Sequence, residues 1–346
     1  MLGEGEPPYA QRMRFGLSLP HYGFSLPGES ITFEACAAWA ERAEQLGFDS
    51  VWISDHFFYS FARYGADPQP IASLEPLTTL AALAVRTQRV RLGTLVLGAS
   101  FRHPGLLARA AASIDALSGG RLELGLGAGW LEEEFTAFGY PFGTVGDRFD
   151  RLEETLEVLT AFGGDEPVTY DGPTVSLRNA RLRPAPVQRP LPLWVGGKGG
   201  PRLLRLAAQH AAGWNLVWRV APETYATKAE AARAACEQVG RDPASFRLSI
   251  GLYLLMGRDD DGARAAFERG RTAMPGGAMR AESYETWRAD TLSGTPVQVR
   301  ERIDAFEALG VEEIVIAPWV LPFAIPEPAQ VELFATEVLR PLRAGP

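Results

Sequence analysis

Asp55 and His56 close the stretch VWISDHF, where the apolar run Val51 to Ile53 ends abruptly in an acid and an imidazole. Imidazole titrates near neutral pH, so a histidine at a strand end can act as a general acid or base. An ordinary polar strand end carries the same residues, so the pair needs support from elsewhere in the chain. Two glycine clusters offer it: GLGAGW at 125–130 and GGKGGP at 196–201. Taken singly, each is also a tight turn. At strand ends, however, glycines let backbone N–H groups converge, and a following helix N-terminus adds positive potential, so each suits a phosphate. Lys198 is the lone lysine between Met1 and Lys228 and would add a mobile cation. A dinucleotide-binding fingerprint competes for the first cluster, but Trp130 occupies the place of its third glycine.

Other side chains could line the same site. His21 follows the first strand, in SLPHYG, and reaches the same rim as His56. His103 stands either in the pocket or in the helix-starting turn before Pro104. Phe57, Phe58, Tyr59, Phe61 and Tyr64 lie in a loop of about 20 residues, and a loop that long is usually functional or disordered. Its aromatics favour a lid or a pocket wall, with Phe57 and Tyr59 nearest the histidine. Trp130 would face a ring or a coenzyme tail, whereas Trp52, Trp194 and Trp214 read as core. Arg102 and Arg202 either reach an acidic tail or sit at the surface, and Glu132-Glu133-Glu134 reads as a solvated first helical turn. The four histidines show no HExxH or paired spacing, so no metal is expected.

These positions make sense only on a scaffold that brings strand ends together. From Arg14 onward, strand-like and helix-like segments alternate, which forces parallel pairing through crossover helices. Strands are expected at 15–19, 49–54, 90–97, 122–126, 193–195, 214–217, 247–255 and 313–317. Eight strands with interleaved helices make a (β/α)8 barrel, whose chemistry sits at the C-terminal rim. Two insertions interrupt the rhythm. One, after strand four, contains a hairpin around Asp171-Gly172; the other, after strand seven, is irregular helical sequence from 259 to 309. Residues 1–13 are expected to be a flexible extension and 14–346 a single barrel domain.

Composition limits the partners. Thirty-four basic against 42 acidic side chains give a net charge of -8, which argues against nucleic acid. No apolar run is long enough to span a membrane. Cys36 and Cys236 lie in alanine-rich helical segments and form no framework, which points to a reducing, cytoplasmic setting. A small-molecule substrate is the expected partner.

As an ordered set, FGLSLP, AERAEQLGFDSVWISDHFF, RHPGLLARAAASIDALSGGRLELGLGAGW, RFDRLEETLEVL and PLWVGGKGG resemble the luciferase-like monooxygenase superfamily, and within it the oxidoreductases that use the deazaflavin coenzyme F420. That resemblance implies a hydride transfer between F420 and a small organic substrate; the alternatives are an FMN-dependent monooxygenase that uses reduced flavin and oxygen, and a barrel that binds flavin or deazaflavin without chemistry. It puts phosphate contacts on Ala128, Gly129, Gly197, Lys198 and Gly199, with Gly196 and Trp130 beside them, and makes His56 the proton donor or acceptor with Asp55 lining the pocket. It also implies a non-proline cis bond at Leu95-Val96 behind the middle ring, and frequent homodimers. Members that oxidise a sugar phosphate carry a tryptophan where this chain has Ser60 and a glutamate where it has Trp130, so the substrate does not transfer.

Overall fold

Strands covered on both faces need no polar alternation, and the runs Ser50–Ile53 and Leu122–Gly127 are buried at every position. The computed structural model describes residues 12–28 and 30–344; the extension expected over 1–13 lies outside these apart from Arg12 and Met13. Eight parallel strands form the frame: β1 (Arg14–Ser18), β2 (Ser50–Ile53), β3 (Arg91–Thr94), β4 (Leu122–Gly127), β5 (Leu193–Gly196), β6 (Gly213–Trp218), β7 (Arg247–Tyr253) and β8 (Val311–Ala317). Each pairs with its sequence neighbours, β4 with β5 and β8 with β1, so the sheet closes on itself as an eight-stranded barrel. Each strand lies within a few residues of its expected place.

Local signals set the helices around it. Helix α1 (Phe33–Leu46) starts at Thr32, whose side chain accepts from the Ala35 amide, and stops at Gly47 with φ 93°, a conformation that costs glycine nothing. Helix α2 (Pro76–Arg86) is capped by the Glu75 carboxylate on the Thr78 amide at 2.7 Å. Helix α3 (Pro104–Ser118) is capped by His103. Among the described residues no helix is long and apolar enough to cross a membrane.

The N-terminal end of the barrel is plugged by charge. Glu123 of β4 and Glu313 of β8 are both fully buried. Arg14 reaches Glu313 at 2.7 Å and Glu123 at 3.5 Å, Arg247 reaches Glu123 at 3.7 Å, and Arg91 donates to Glu123 as well. Trp194 donates its indole N–H to Glu123 at 2.6 Å, and Trp52 donates to Glu313 at 3.2 Å. The core tryptophans therefore satisfy buried carboxylates, as buried polar groups require.

Both insertions are present. The first contains α4 (Glu132–Ala137), α5 (Val145–Ala161) and the hairpin of Val168–Asp171 with Ser176–Ala180; α6 (Pro201–His210) then follows β5. The second carries helices Asp260–Ala273, Tyr284–Ala289 and Pro296–Ala308. The long loop after β2 is ordered by a small ladder, Phe58–Tyr59 against Ile71–Ala72, and a turn at Ala62–Tyr64. That turn abuts the second insertion. Gly276 has φ 64°, and a Cβ there would lie 1.9 Å from the Tyr64 carbonyl oxygen.

Candidate active site

The C-terminal ends of β2 to β6 open into a cavity of about 600 Å3, a size that suits a cofactor with a small partner. The strand ends meet there for a steric reason. The Leu95-Val96 bond is cis, and the Val96 side chain fills the gap between β4 and β5. A Cβ on Gly127 would come within 2.8 Å of Val96 Cγ2, and one on Gly196 within 2.7 Å of Val96 Cγ1. These two glycines thus make room for a neighbouring side chain as much as for a ligand. A second non-proline cis bond, Val217-Trp218, lies at the end of β6 on the same rim.

His56, Asp55, Tyr59, Leu95, Val96, Ala128, Gly129, Trp130, Gly196, Gly197 and Lys198 all line this cavity. The remaining expected residues do not, and each for a clear reason. His103 is exposed and caps α3, its Nδ1 accepting from the Gly105 amide at 3.1 Å. Phe57 turns outward onto Phe101 and Phe138, with ring centroids 4.6 and 4.2 Å away. Gly199 is buried against Trp214. His21 lies fully buried just behind the wall, between the Leu19 carbonyl at 2.9 Å and Ser54 Oγ at 3.0 Å.

Burial holds the His21 pKa down to about 3, so the folded protein keeps this imidazole neutral. Unfolding returns it to an ordinary value near 6.5, and the unfolded chain then binds a proton that the folded chain refuses. The His21 contribution is therefore complete above pH 6.5 and falls as pH drops toward 3, by about 1.4 kcal/mol per pH unit. Urea unfolding at pH 7 and pH 5 should show His21→Gln losing less stability across that interval than the parent. Equal losses would refute the assignment.

The acid beside His56 in sequence is not its partner. Asp55 is buried and held by Arg102 through Nη1 at 2.5 Å and Nη2 at 3.0 Å, with the Gly98 amide on the same carboxylate at 3.0 Å. Arg102 also reaches Glu75 at 2.6 Å. Asp55, which lines the cavity as expected, and Arg102, read as either a tail contact or a surface residue, are thus held by each other in a bidentate geometry that fixes planar groups. Arg202 is likewise engaged, with Asp150 and Glu153 on α5.

The partner of His56 is Glu134, from the acidic run expected to be solvated. Glu134 is 1% exposed; its Oε1 receives His56 Nδ1 and its Oε2 the Phe57 amide at 3.2 Å. Among the described residues His56 Nε2 has no hydrogen-bond partner. With the Nδ1–H committed to a carboxylate, neutral His56 presents a lone pair at Nε2. Sequence gave one hint of this, because Glu134 sits next to Phe135, whose large apolar ring must turn inward.

Anion-binding capacity is concentrated but narrower than expected. The Gly197 amide donates to the Asn215 carbonyl at 3.1 Å and its carbonyl accepts from Trp214 at 2.9 Å, so Gly197 shapes the wall and offers no donor. The amides of Ala128 and Gly129 make no hydrogen bond among the described residues, and Arg148 takes the Gly129 carbonyl at 3.3 Å. The exposed Lys198 ammonium has no acid partner there either. Across the mouth, Trp130 meets His56 edge-on at 5.7 Å and carries the Arg63 guanidinium over its face at 4.9 Å.

The fold and site define a closed (β/α)8 barrel with a rim cavity, a non-proline cis bond behind it and a carboxylate-held histidine on its wall. Residues 13–313 match the sequence model of the luciferase-like monooxygenases, and the chain belongs to that family. It is 34% identical over 217 residues to an F420-dependent glucose-6-phosphate dehydrogenase of Microbacterium testaceum, covering 62% of this chain and 60% of that one. It is 33% identical to a phthiodiolone/phenolphthiodiolone dimycocerosates ketoreductase of Mycobacterium kansasii, covering 64% and 63%. The match thus spans roughly three fifths of these relatives. The coenzyme F420-dependent tetrahydromethanopterin reductase of Methanopyrus kandleri has the same fold, with TM-score 0.75 at 22% identity over 95% of this chain and 99% of that one.

Proposed function

We infer that the protein is an F420-dependent oxidoreductase that moves a hydride between the deazaflavin and a small organic substrate. The observation that carries this reading is the Glu134-held His56 on the wall of a cavity whose far side offers phosphate donors. The residues present fit the coenzyme. Leu95, Val96, Trp218 and Phe323 give apolar walls for a flat ring, and Ala128, Gly129 and Lys198 give amides and a cation for its phosphate. When bound, the deazaflavin supplies a hydride donor or acceptor at C5.

The chain's own part is acid-base and positional. His56 Nε2 takes or returns the substrate proton, and Glu134 keeps its ring oriented and balances the charge that forms. Arg102 and the Gly98 amide hold the Asp55 carboxylate, which ties the end of β2 to the segment after β3 and so fixes the histidine beside the ring. Tyr59 and Trp130 exclude water from the mouth.

Titration of the purified protein with F420 and with FMN, followed by absorbance and tryptophan fluorescence, tests the reading. Saturable F420 binding that Lys198→Ala weakens about tenfold is expected, since a charged hydrogen bond to phosphate is worth about 1.5 kcal/mol or more. Binding of FMN alone would favour an oxygen-using monooxygenase. F420 binding without turnover on any substrate would leave a coenzyme-binding barrel.

A further inference from the structure

Two acids and two cations line the cavity, and they are not used alike. Asp55 is held by Arg102, and Glu134 by His56. Among the described residues Lys198 and Arg63 have no acid within ion-pairing distance, so the mouth carries uncompensated positive charge in a chain whose net charge is -8. Lys198 serves the coenzyme phosphate in the reading above. Arg63 has no task there.

Arg63 stands in the turn Ala62–Tyr64, and two rings hold its guanidinium, Trp130 at 4.9 Å and Tyr64 at 5.0 Å. Stacking uses the face of the cation and leaves its edge, where five N–H donors lie in one plane. None of them makes a hydrogen bond among the described residues. A second unused donor lies close by. Tyr253, at the end of β7, lines the cavity with its ring between Trp218 and Trp287, at centroid distances of 5.7 and 5.3 Å. Its hydroxyl has no hydrogen-bond partner among the described residues, yet it is not one of the fully enclosed polar atoms, so it meets the open space of the cavity. Burial keeps that phenol protonated, and Arg63 is within electrostatic reach of it.

Trp130 ties this pair to the reacting histidine. The indole meets His56 edge-on at 5.7 Å and carries Arg63 on its face, so imidazole and guanidinium flank one side chain. A molecule that touches both is small. Resting on the deazaflavin reading above, we propose that Arg63, assisted by Tyr253, selects the substrate by its carboxylate, and that the substrate is a compact organic acid whose reacting carbon lies beside His56. The guanidinium fork offers two parallel N–H donors to the two carboxylate oxygens, and the phenol adds a third. Because the rings already hold the guanidinium, little side-chain freedom is lost when the acid arrives.

Benzoate and benzamide are the probes, because they share a shape and differ in charge. Saturation-transfer NMR on the coenzyme-free protein gives their affinity ratio. Benzoate should bind about tenfold more tightly in the parent, since one charge-assisted hydrogen bond is worth about that factor or more. The two should bind about equally in Arg63→Ala, with an intermediate ratio in Arg63→Lys, which keeps the charge and loses the fork. Tyr253→Phe should lower the ratio about threefold, because a phenol donates more strongly to a carboxylate than to an amide. A purely structural loss would weaken both probes together. No preference for benzoate in the parent, or a preference that survives Arg63→Ala, overturns the proposal, as does one lost only in Lys198→Ala, which would put the acid at the phosphate donors. The deazaflavin ring without phosphate and acidic tail separates the other source of a carboxylate: Arg63→Ala should change its affinity and that of F420 alike. Weakening of F420 alone would assign Arg63 to the coenzyme tail and overturn the proposal. Failure of F420 to bind overturns the coenzyme reading alone, because the benzoate ratio is read without coenzyme.

Discussion

Replacing His56 by alanine should leave F420 binding within about threefold of the parent while turnover falls by about 10² to 10⁴, the span that positioned acid-base groups supply. In the proposed reading Ala128, Gly129 and Lys198, and not His56, hold the phosphate, so binding and chemistry should separate cleanly. Stopped-flow bleaching of the deazaflavin absorbance reads the chemical step, and fluorescence titration reads binding. Glu134→Gln gives the graded counterpart. An amide can still accept the Nδ1–H but cannot balance an imidazolium, so turnover should drop, by less than in His56→Ala. Unchanged turnover in His56→Ala removes the histidine from the reaction.

The second large effect concerns stability. Glu123→Ala should destabilise the barrel by about 3–5 kcal/mol, because it removes the buried carboxylate that Arg14, Arg91 and Arg247 share; Arg14 keeps Glu313 and Arg247 keeps Glu312, while Arg91 has no other acid partner among the described residues. It also orphans the Trp194 indole N–H. With an unfolding entropy of about 0.7 kcal/mol per kelvin for a chain of this length, the melting temperature should fall by about 4–7 °C. Calorimetry decides this directly. A change under 1 °C would mean that water replaces the carboxylate at no cost. Glu123→Leu, which fills the space without the charge, distinguishes lost pairing from a cavity.

Much of the frame is legible in the chain because its signals are local. Runs such as Leu122 to Leu126 are apolar at each position, Gly47 and Thr32 punctuate a helix, and Glu75-Pro76 opens the next. The cis bond at Leu95-Val96 came from the ordered family motifs, whereas the place of His56 was already marked by the apolar run Val51 to Ile53 that ends at it. What stayed hidden are pairings made across the rim. Asp55 and His56 are adjacent in sequence, yet one turns to Arg102 and the other to Glu134, 47 and 78 residues away. Periodicity does not encode which of three consecutive glutamates points inward on a six-residue helix. Gly196 and Gly197 look like a ligand cradle when read alone, while part of their space belongs to Val96 and Leu203. His103 shows the converse case, in which a titratable side chain beside a proline does only the work of a helix cap.

The contact between the Tyr64 turn and Gly276 has a use beyond shape. Two segments more than 200 positions apart meet there, the first of them lining the cavity through Arg63 and Tyr64, and neither carries His56 or Glu134. Selection, or a laboratory library confined to 61–66 and 274–280, can therefore alter which molecules enter while leaving the reaction itself intact. New specificities would arise here by remodelling the doorway.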